Sequence, residues 1–390
     1  MSAARRALRQ IGLFTSGRQD TGYLLPVARA IERQAATRAT IFLSGTHLKP
    51  GEKVDTPFHA EGFRCVPVSM LPAERRDWDG QINAKHIAEL CREFAEALTE
   101  NPVDVVVLLG DRIETLAAAV VAVADRRFLA HIHGGDKAPG VYDDANRHAI
   151  TKLAHVHFAA TAGSAARLVR LGEVAETIHQ VGSPGIDSIV CNDLPGGDDA
   201  RLAVNLSAGE PFVLLLHHPA GLGREQEAAE IHEICQGVFK AGLTAVCLGP
   251  NADPHRDVIW QALRHFSSVH NWPIHETIDR RVFLALMREA TALVGNSSAG
   301  MVESAAVDAV VLDVGSRQRG REHSANVIHV SAERRAVERT LLRLMSDKAY
   351  AASLRSAKCV FGDGLAARRI ASVLAEMELS EQRRTKLISY

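Results

Sequence analysis

Paired cysteines, glycine-rich nucleotide loops, long apolar runs and a large net charge are all missing from this 390-residue chain. Each absence closes off a class of function. The six cysteines, Cys65, Cys91, Cys191, Cys235, Cys247 and Cys359, are scattered with no CxxC pair. No disulfide framework is expected, and a reduced, cytoplasmic protein is the simplest reading. Lys and Arg number 45 against 46 Asp and Glu, for a formal net charge of -1. That balance gives no general reason to bind nucleic acid or an anionic membrane. The basic start MSAARRALRQIGLF carries an apolar run of only four residues before Thr15. It is too short for a signal-peptide core, and no later stretch approaches a membrane span. There is no GxGxxG after the first strand and no Walker sequence, which disfavours a nicotinamide dehydrogenase and a P-loop kinase.

What the chain does have is length, a globular balance of residues and a repeating pattern. Its size exceeds one ordinary domain and suits two of about 180 residues each. Short apolar runs read as strands at Gln10–Thr15, Thr40–Leu43, Arg64–Val68, Val103–Leu109, Phe128–Ile132, Val156–Ala159 and Ile178–Val181. After Gly182 the pattern restarts at Phe212–Leu216, Thr244–Leu248, Ser267–His270, Ala292–Val294, Val310–Val314 and Val327–Val330. Amphipathic stretches such as Leu24–Arg33 and Ile82–Leu98 lie between them. Apolar strands separated by helices mean a parallel sheet covered on both faces, so two doubly wound α/β domains are expected. The turn-forming Gly182-Ser183-Pro184-Gly185 marks the boundary. The expected division is residues 1–183, residues 184–364, and a C-terminal segment, residues 365–390, whose helix packs back on the first domain.

Ligands of open parallel sheets bind at the carboxyl ends of the strands, so polar residues directly after apolar runs are the informative ones. Seven runs end this way, in Ser16-Gly17-Arg18-Gln19-Asp20, Gly110-Asp111-Arg112, His133-Gly134-Gly135-Asp136, His217-His218-Pro219, Gly249-Pro250-Asn251, Gly295-Asn296-Ser297-Ser298 and Gly315-Ser316-Arg317-Gln318. One shared cleft with the two domains facing across it explains the recurrence. Asn296 to Gly300 precedes a helix, and small residues with free N–H groups at a helix start cradle phosphate. For this turn alone an ordinary serine N-cap is the simpler reading. Arg317 and Arg321 just downstream favour a diphosphate.

His131 and His133 share a strand face with Asp136 nearby, a pattern that is more often catalytic or hydrogen-bonded than metal-binding, and no metal is expected. His148 and His155 read as sharing a helical face in a structural role. Asp143 and Asp144 fit either a helix cap or a functional loop.

These stretches resemble the hydrolysing UDP-N-acetylglucosamine 2-epimerases, including bacterial sialic- and legionaminic-acid pathway enzymes. The resemblance rests on TSGRQDTG, LGDRIETLAAA, AHIHGGD, DDANRHAITKLAHVHF, VGSPGID, HHP, GPNAD, GNSSAGMVE and GSRQRGRE, in order from about Gln10 to Leu374. It implies a GT-B-like fold, two Rossmann-like domains closing over a nucleotide sugar. It also implies removal of the proton at sugar carbon 2 as UDP leaves, a 2-acetamidoglucal intermediate, and water addition to free the epimerised sugar. Such a site needs a base for a weakly acidic C–H and cationic or N–H groups for the departing diphosphate.

By this resemblance Asp111, Asp143 and His218 match acid/base or diphosphate-proximal residues. His133 stands where familiar members carry a catalytic glutamate, and an imidazole can still shuttle a proton. Arg18, Gln19, Arg112, Asn251, Ser297, Ser298, Glu303 and Arg317 fall at nucleotide-sugar contacts, with Glu303 placed to accept ribose hydroxyls. No cofactor is implied, the partner is a nucleotide sugar, and a homodimer or homotetramer is expected. A GT-B glycosyltransferase, a non-hydrolysing epimerase and a non-catalytic nucleotide-sugar-binding protein remain alternatives.

Overall fold

A computed structural model describes residues 8–48, 56–69, 84–137, 143–190, 193–251 and 253–387. The chain forms two compact units. The first comprises Met1–Cys191 and Phe361–Tyr390, the second Asn192–Val360.

The first unit runs β1 (Arg9–Thr15), α1 (Thr21–Glu32), β2 (Thr37–Ser44), α2 (Pro57–Ala60), β3 (Arg64–Ser69), α3 (Ala84–Glu100) and β4 (Val105–Leu109). It continues through α4 (Ile113–Ala124), β5 (Phe128–Ile132), α5 (Asp143–Leu153), β6 (Val156–Ala159), α6 (Ala162–Arg170), β7 (Ile178–Gln180) and α7 (Pro184–Val190). The strands form one sheet in the order β3-β2-β1-β4-β5-β6-β7, every pairing parallel. Alternate side chains of one strand feed opposite layers. Val105 and Val107 join a core with Leu24 and Ile31 of α1. Val106 and Leu108 join another with Leu90 and Phe94 of α3. That double burial is why β4 is an unbroken valine-leucine run.

The second unit runs α8 (Gly197–Leu202), β8 (Phe212–Leu216), α9 (Arg224–Lys240), β9 (Thr244–Leu248), α10 (Arg256–His270), β10 (Ile274–His275) and α11 (Arg280–Glu289). Then follow β11 (Leu293–Gly295), α12 (Ser298–Val302), β12 (Val311–Val314), β13 (Val327–Val330), α13 (Arg334–Ser346) and α14 (Lys348–Arg355). Its sheet order is β10-β9-β8-β11-β12-β13, again all parallel. The chain then forms α15 (Ala366–Glu376) and α16 (Glu381–Arg384).

α15 belongs to the first unit, with Ile370, Ala371 and Leu374 in the α1 core. The buried carboxylate of Asp187 on α7 accepts from the backbone N–H groups of Ala366 (3.0 Å) and Ala367 (2.6 Å). A side chain from a distant helix thus satisfies the orphan donors that open α15. α7 lies in the first unit, which runs to Cys191.

Two sequence expectations change. Ser267–His270, read as a strand, is the last turn of α10. Ile259, Leu263 and Phe266 already mark a buried helical face there, and Asn271 in the left-handed region stops it. The strand comes after it, at Ile274–His275. His155 lies beyond the end of α5, so it shares no helical face with His148. Its Nδ1 accepts from the backbone N–H of Leu129 at 3.0 Å. Among the described residues no helix is long and apolar enough to cross a membrane.

Candidate active site

In a sheet of this order the chain reverses direction between the first strand and the fourth, which opens a crevice at their carboxyl ends. The first unit has that switch point between β1 and β4, the second between β8 and β11. Arg18, Gln19, Asp111 and Arg112 follow the strands of the first switch point and His218, Ser297 and Ser298 those of the second, while His133, Asn251 and Arg317 follow the neighbouring strands β5, β9 and β12.

At the β1 edge, the buried Asp20 accepts from Ser16 N–H and Ser16 Oγ, both at 2.8 Å. That closes a tight turn whose outer residues, Arg18 and Gln19, are exposed. Arg18 donates its backbone N–H to Thr46 Oγ1 at 2.9 Å. Thr15 Oγ1 and His47 Nε2 lie 2.9 Å apart beneath the turn.

At the β4 edge, Asp111 follows Gly110, and the exposed Arg112 opens α4. Arg147, on α5 and only 4% exposed, donates from Nη2 to Asp111 and from Nη1 to Asp144. It also reaches the carbonyl of Asp136 at 3.1 Å. One buried guanidinium therefore bridges two carboxylates and ties them to the next loop, a geometry a lysine could not reproduce. Arg147 is not among the site residues expected from sequence, although it sits in the RHAITK stretch. Its place three residues after Asp144 on a helix was the available signal. Asp143 opens α5, and its side chain lies outside the described residues.

β5 pairs with β4 so that Leu109 faces Ile132, which brings the Asp111 and His133 loops side by side. His131 is fully buried and donates from Nε2 to the carbonyl of Gly110 at 2.8 Å. Burial pushes its pKa down to about 3, so it is a neutral strut under the Asp111 turn. His133 points elsewhere, with Nδ1 2.7 Å from Asp136 Oδ2 and Nε2 3.0 Å from Ser183 Oγ. The two imidazoles do not converge on a common point.

In the second unit Asn296 joins the switch point. Its buried side chain accepts from His218 N–H at 2.7 Å and donates to His218 C=O at 2.8 Å. Its own carbonyl accepts from Arg317 Nη1 at 3.2 Å and Gln318 Nε2 at 2.8 Å. Three loops, after β8, β11 and β12, are thereby locked together. Gly295 makes the approach possible. Its φ is +138°, and a Cβ there would lie 1.9 Å from the carbonyl oxygen of Leu216.

His218 Nδ1 accepts from the backbone N–H of Asn251 at 3.0 Å, which leaves Nε2 carrying the proton as a donor. Burial, then the neighbouring Arg317 guanidinium, lower its pKa to about 4. At neutral pH His218 is an uncharged N–H donor. Burial also lowers the Arg317 pKa, and Asp253 stands 3.6 Å from its Nη2. Ser297 caps α12, accepting from Ala299 N–H at 3.3 Å, and Ser298 is exposed beside it. Glu303 ends α12 with its Oε1 3.2 Å from Arg280 Nη2. Its buried Oε2 has no hydrogen-bond partner among the described residues, and burial raises its pKa. A buried acceptor left open in this way is costly unless a ligand donor completes it.

The family model described as UDP-N-acetylglucosamine 2-epimerase matches residues 29–375, nearly the whole of both units. The chain belongs to that family. The epimerase is 31% identical over 385 residues to "UDP-N,N'-diacetylbacillosamine 2-epimerase (hydrolyzing)" of Legionella pneumophila, covering 98% of this chain and 100% of that protein. It is 33% identical over 331 residues to the UDP-N-acetylglucosamine 2-epimerase of Neisseria meningitidis serogroup B, covering 84% and 85% of the two chains. Its fold matches the crystal structure of a UDP-GlcNAc 2-epimerase from Neisseria meningitidis bound to UDP-GlcNAc, with a TM-score of 0.72 at 16% identity over 95% of this chain and 100% of that one. The epimerase is thus an α/β enzyme of two Rossmann-like, GT-B-type units.

Proposed function

We propose that the enzyme is a hydrolysing 2-epimerase of a UDP-linked 2-acetamido sugar, releasing UDP and the free 2-epimer. The observation that carries this reading is a carboxylate and an imidazole after adjacent strands, each held by a charged partner. Asp111 is gripped by Arg147 and His133 by Asp136. A group transfer that only expels a diphosphate has little use for two such supported groups, whereas epimerisation must take and return a proton at carbon. The full-length match to a hydrolysing enzyme supports hydrolysis, and it favours a 2,4-diacetamido sugar alongside UDP-GlcNAc as substrate.

In this reading the C2–H bond breaks toward a base of the first unit while its electron pair forms the C1=C2 bond. The C1–O bond breaks and UDP departs with the bonding pair. The neutral His218 donates its Nε2–H to the departing diphosphate. Arg317 and the N–H groups after Ser297 stabilise the growing charge, and Arg18, Gln19, Arg112, Ser298 and Asn251 hold the phosphates and sugar. Glu303 accepts the ribose hydroxyls through its open Oε2. Water then adds across the glycal and a proton returns to carbon 2 on the opposite face, where Asp143 and Asp111 supply the remaining acid/base groups. The enzyme is expected in the cytoplasm as a homodimer or homotetramer, and sedimentation of the purified protein checks the assembly.

The test is product identification by proton NMR with UDP-GlcNAc and its 2,4-diacetamido-trideoxy counterpart. Free 2-epimer and UDP in equal amounts from either supports the proposal. A UDP-linked epimer would place the enzyme with non-hydrolysing members, and transfer only to an added acceptor would make it a glycosyltransferase.

A further inference from the structure

His133 leaves its strand through an uncommon backbone path. Its φ is +65°, and Gly135 follows at +77°. A Cβ on Gly135 would stand 2.4 Å from the carbonyl of Ser164, and one on Gly134 would stand 3.0 Å from the ring of His131. The turn is therefore fixed by close packing, and its effect is to fold residue 136 back onto residue 133.

The bonds that result have a definite direction. Asp136 Oδ2 lies 2.7 Å from His133 Nδ1, and its Oδ1 accepts from Ser164 Oγ at 2.7 Å. Arg167 donates to that same serine oxygen at 3.1 Å and also holds the carbonyl of Gly135. With the guanidinium supplying the serine oxygen, the serine proton goes to Asp136. An ionised carboxylate only accepts, so the proton between Asp136 and His133 sits on Nδ1. Nε2 then carries the lone pair, which accepts from Ser183 Oγ, 3.0 Å away, and becomes the base when substrate displaces that hydroxyl. Tyr23 meets the ring edge-on at 5.7 Å and limits its rotation. Gly185 leaves room for the tyrosine ring, since a Cβ there would be 2.6 Å from Tyr23 Cε1.

We propose that Asp136 is the positioning residue for His133, fixing the Nδ1–H tautomer so that Nε2 is the atom that takes or returns the proton at carbon 2 of the substrate. The proposal rests on the 2-epimerase reading given above. In the step itself the C–H proton passes to Nε2, the ring becomes an imidazolium, and the Asp136 carboxylate stabilises that cation. Asp136 does not take the proton, just as the aspartate of a Ser-His-Asp triad does not. The proton on Nε2 is then lost to solvent, and carbon 2 takes its new proton on the opposite face, so no further reactant is needed. The pair replaces one carboxylate base by an imidazole and an orienting carboxylate.

A glutamate at position 133 has no tautomer to fix, which supplies the test. Asp136→Ala is expected to lower kcat at least about tenfold in the otherwise native enzyme. In a His133→Glu background the same change should cost less than about threefold. Equal losses in both backgrounds would reduce Asp136 to a structural part of the turn and overturn the proposal. Should His133→Glu be inactive or unfolded, long-range proton–nitrogen NMR of the labelled native enzyme decides. A protonated Nδ1 and a bare Nε2 on His133 at neutral pH are expected, whereas an Nε2–H tautomer would refute the assignment. Wild-type enzyme that exchanges no hydrogen at carbon 2 would sink the functional reading itself, an outcome separate from the tautomer result.

Discussion

Replacing His131 by glutamine should give a protein whose stability deficit depends on pH in a calculable way. His131 is 0% exposed, and burial holds its pKa at about 3. The unfolded imidazole titrates near its ordinary value of about 6.5. Because the folded value is the lower one, the folded ring refuses a proton that the unfolded ring accepts. The stabilising contribution is thus complete above about 6.5 and is lost as pH falls toward about 3. At pH 7.5 linkage costs almost nothing, while at pH 5 it costs the native protein about 2 kcal/mol. His131→Gln loses the ring bonds to Gly110 and Thr151, 2.8 and 3.2 Å long in the native protein. At pH 7.5 it should be less stable than wild type by about 1–3 kcal/mol. At pH 5 the gap should shrink by about 2 kcal/mol, since glutamine does not titrate. Hydrogen exchange in peptides spanning β5, measured across a urea series at both pH values, reads the first unit separately from the second. A gap that stays constant with pH would refute the buried, neutral state of His131. His217, fully buried with a pKa near 3 for the same reason, should behave alike when read in peptides of β8.

Other consequences follow from single contacts. Gly295→Ala should destabilise the second unit by more than about 3 kcal/mol, seen as a large loss in thermal midpoint, because the new methyl group meets the Leu216 carbonyl at 1.9 Å. Arg147→Lys should lower kcat by at least about 10²-fold with the fold intact by circular dichroism, because lysine cannot hold Asp111 and Asp144 together. Glu303→Gln should raise KM at least about tenfold while leaving the thermal midpoint unchanged or higher, since it removes a buried carboxylate whose second oxygen has no hydrogen-bond partner among the described residues. A fall in kcat with KM unchanged would put Glu303 outside the nucleotide site.

The strand pattern was legible because both sheets are parallel and buried on both faces, so runs such as Val105–Leu109 and Phe212–Leu216 stand out as unbroken apolar segments. Ser267–His270 misled because a helix's final turn on a partly exposed surface carries the same mix of small and branched residues as a short strand. The edge positions Asp111, His133 and His218 were visible for a related reason, since each directly follows an apolar run. What stayed hidden were the side chains that hold them. Asn296 binds His218 across 78 positions of sequence and Arg147 binds Asp111 across 36. Such partners become neighbours only through strand order, which local periodicity does not encode. Asp136 was visible as a neighbour of His133, but its role depends on a left-handed turn that sequence alone does not show.

The central claim is best tested by turnover in water enriched in both deuterium and oxygen-18. Elimination and hydration predict one deuterium at carbon 2 of the released sugar and oxygen-18 at its anomeric position, with unlabelled UDP. Oxygen-18 in the phosphates, or a released sugar with protium retained at carbon 2, would contradict the account.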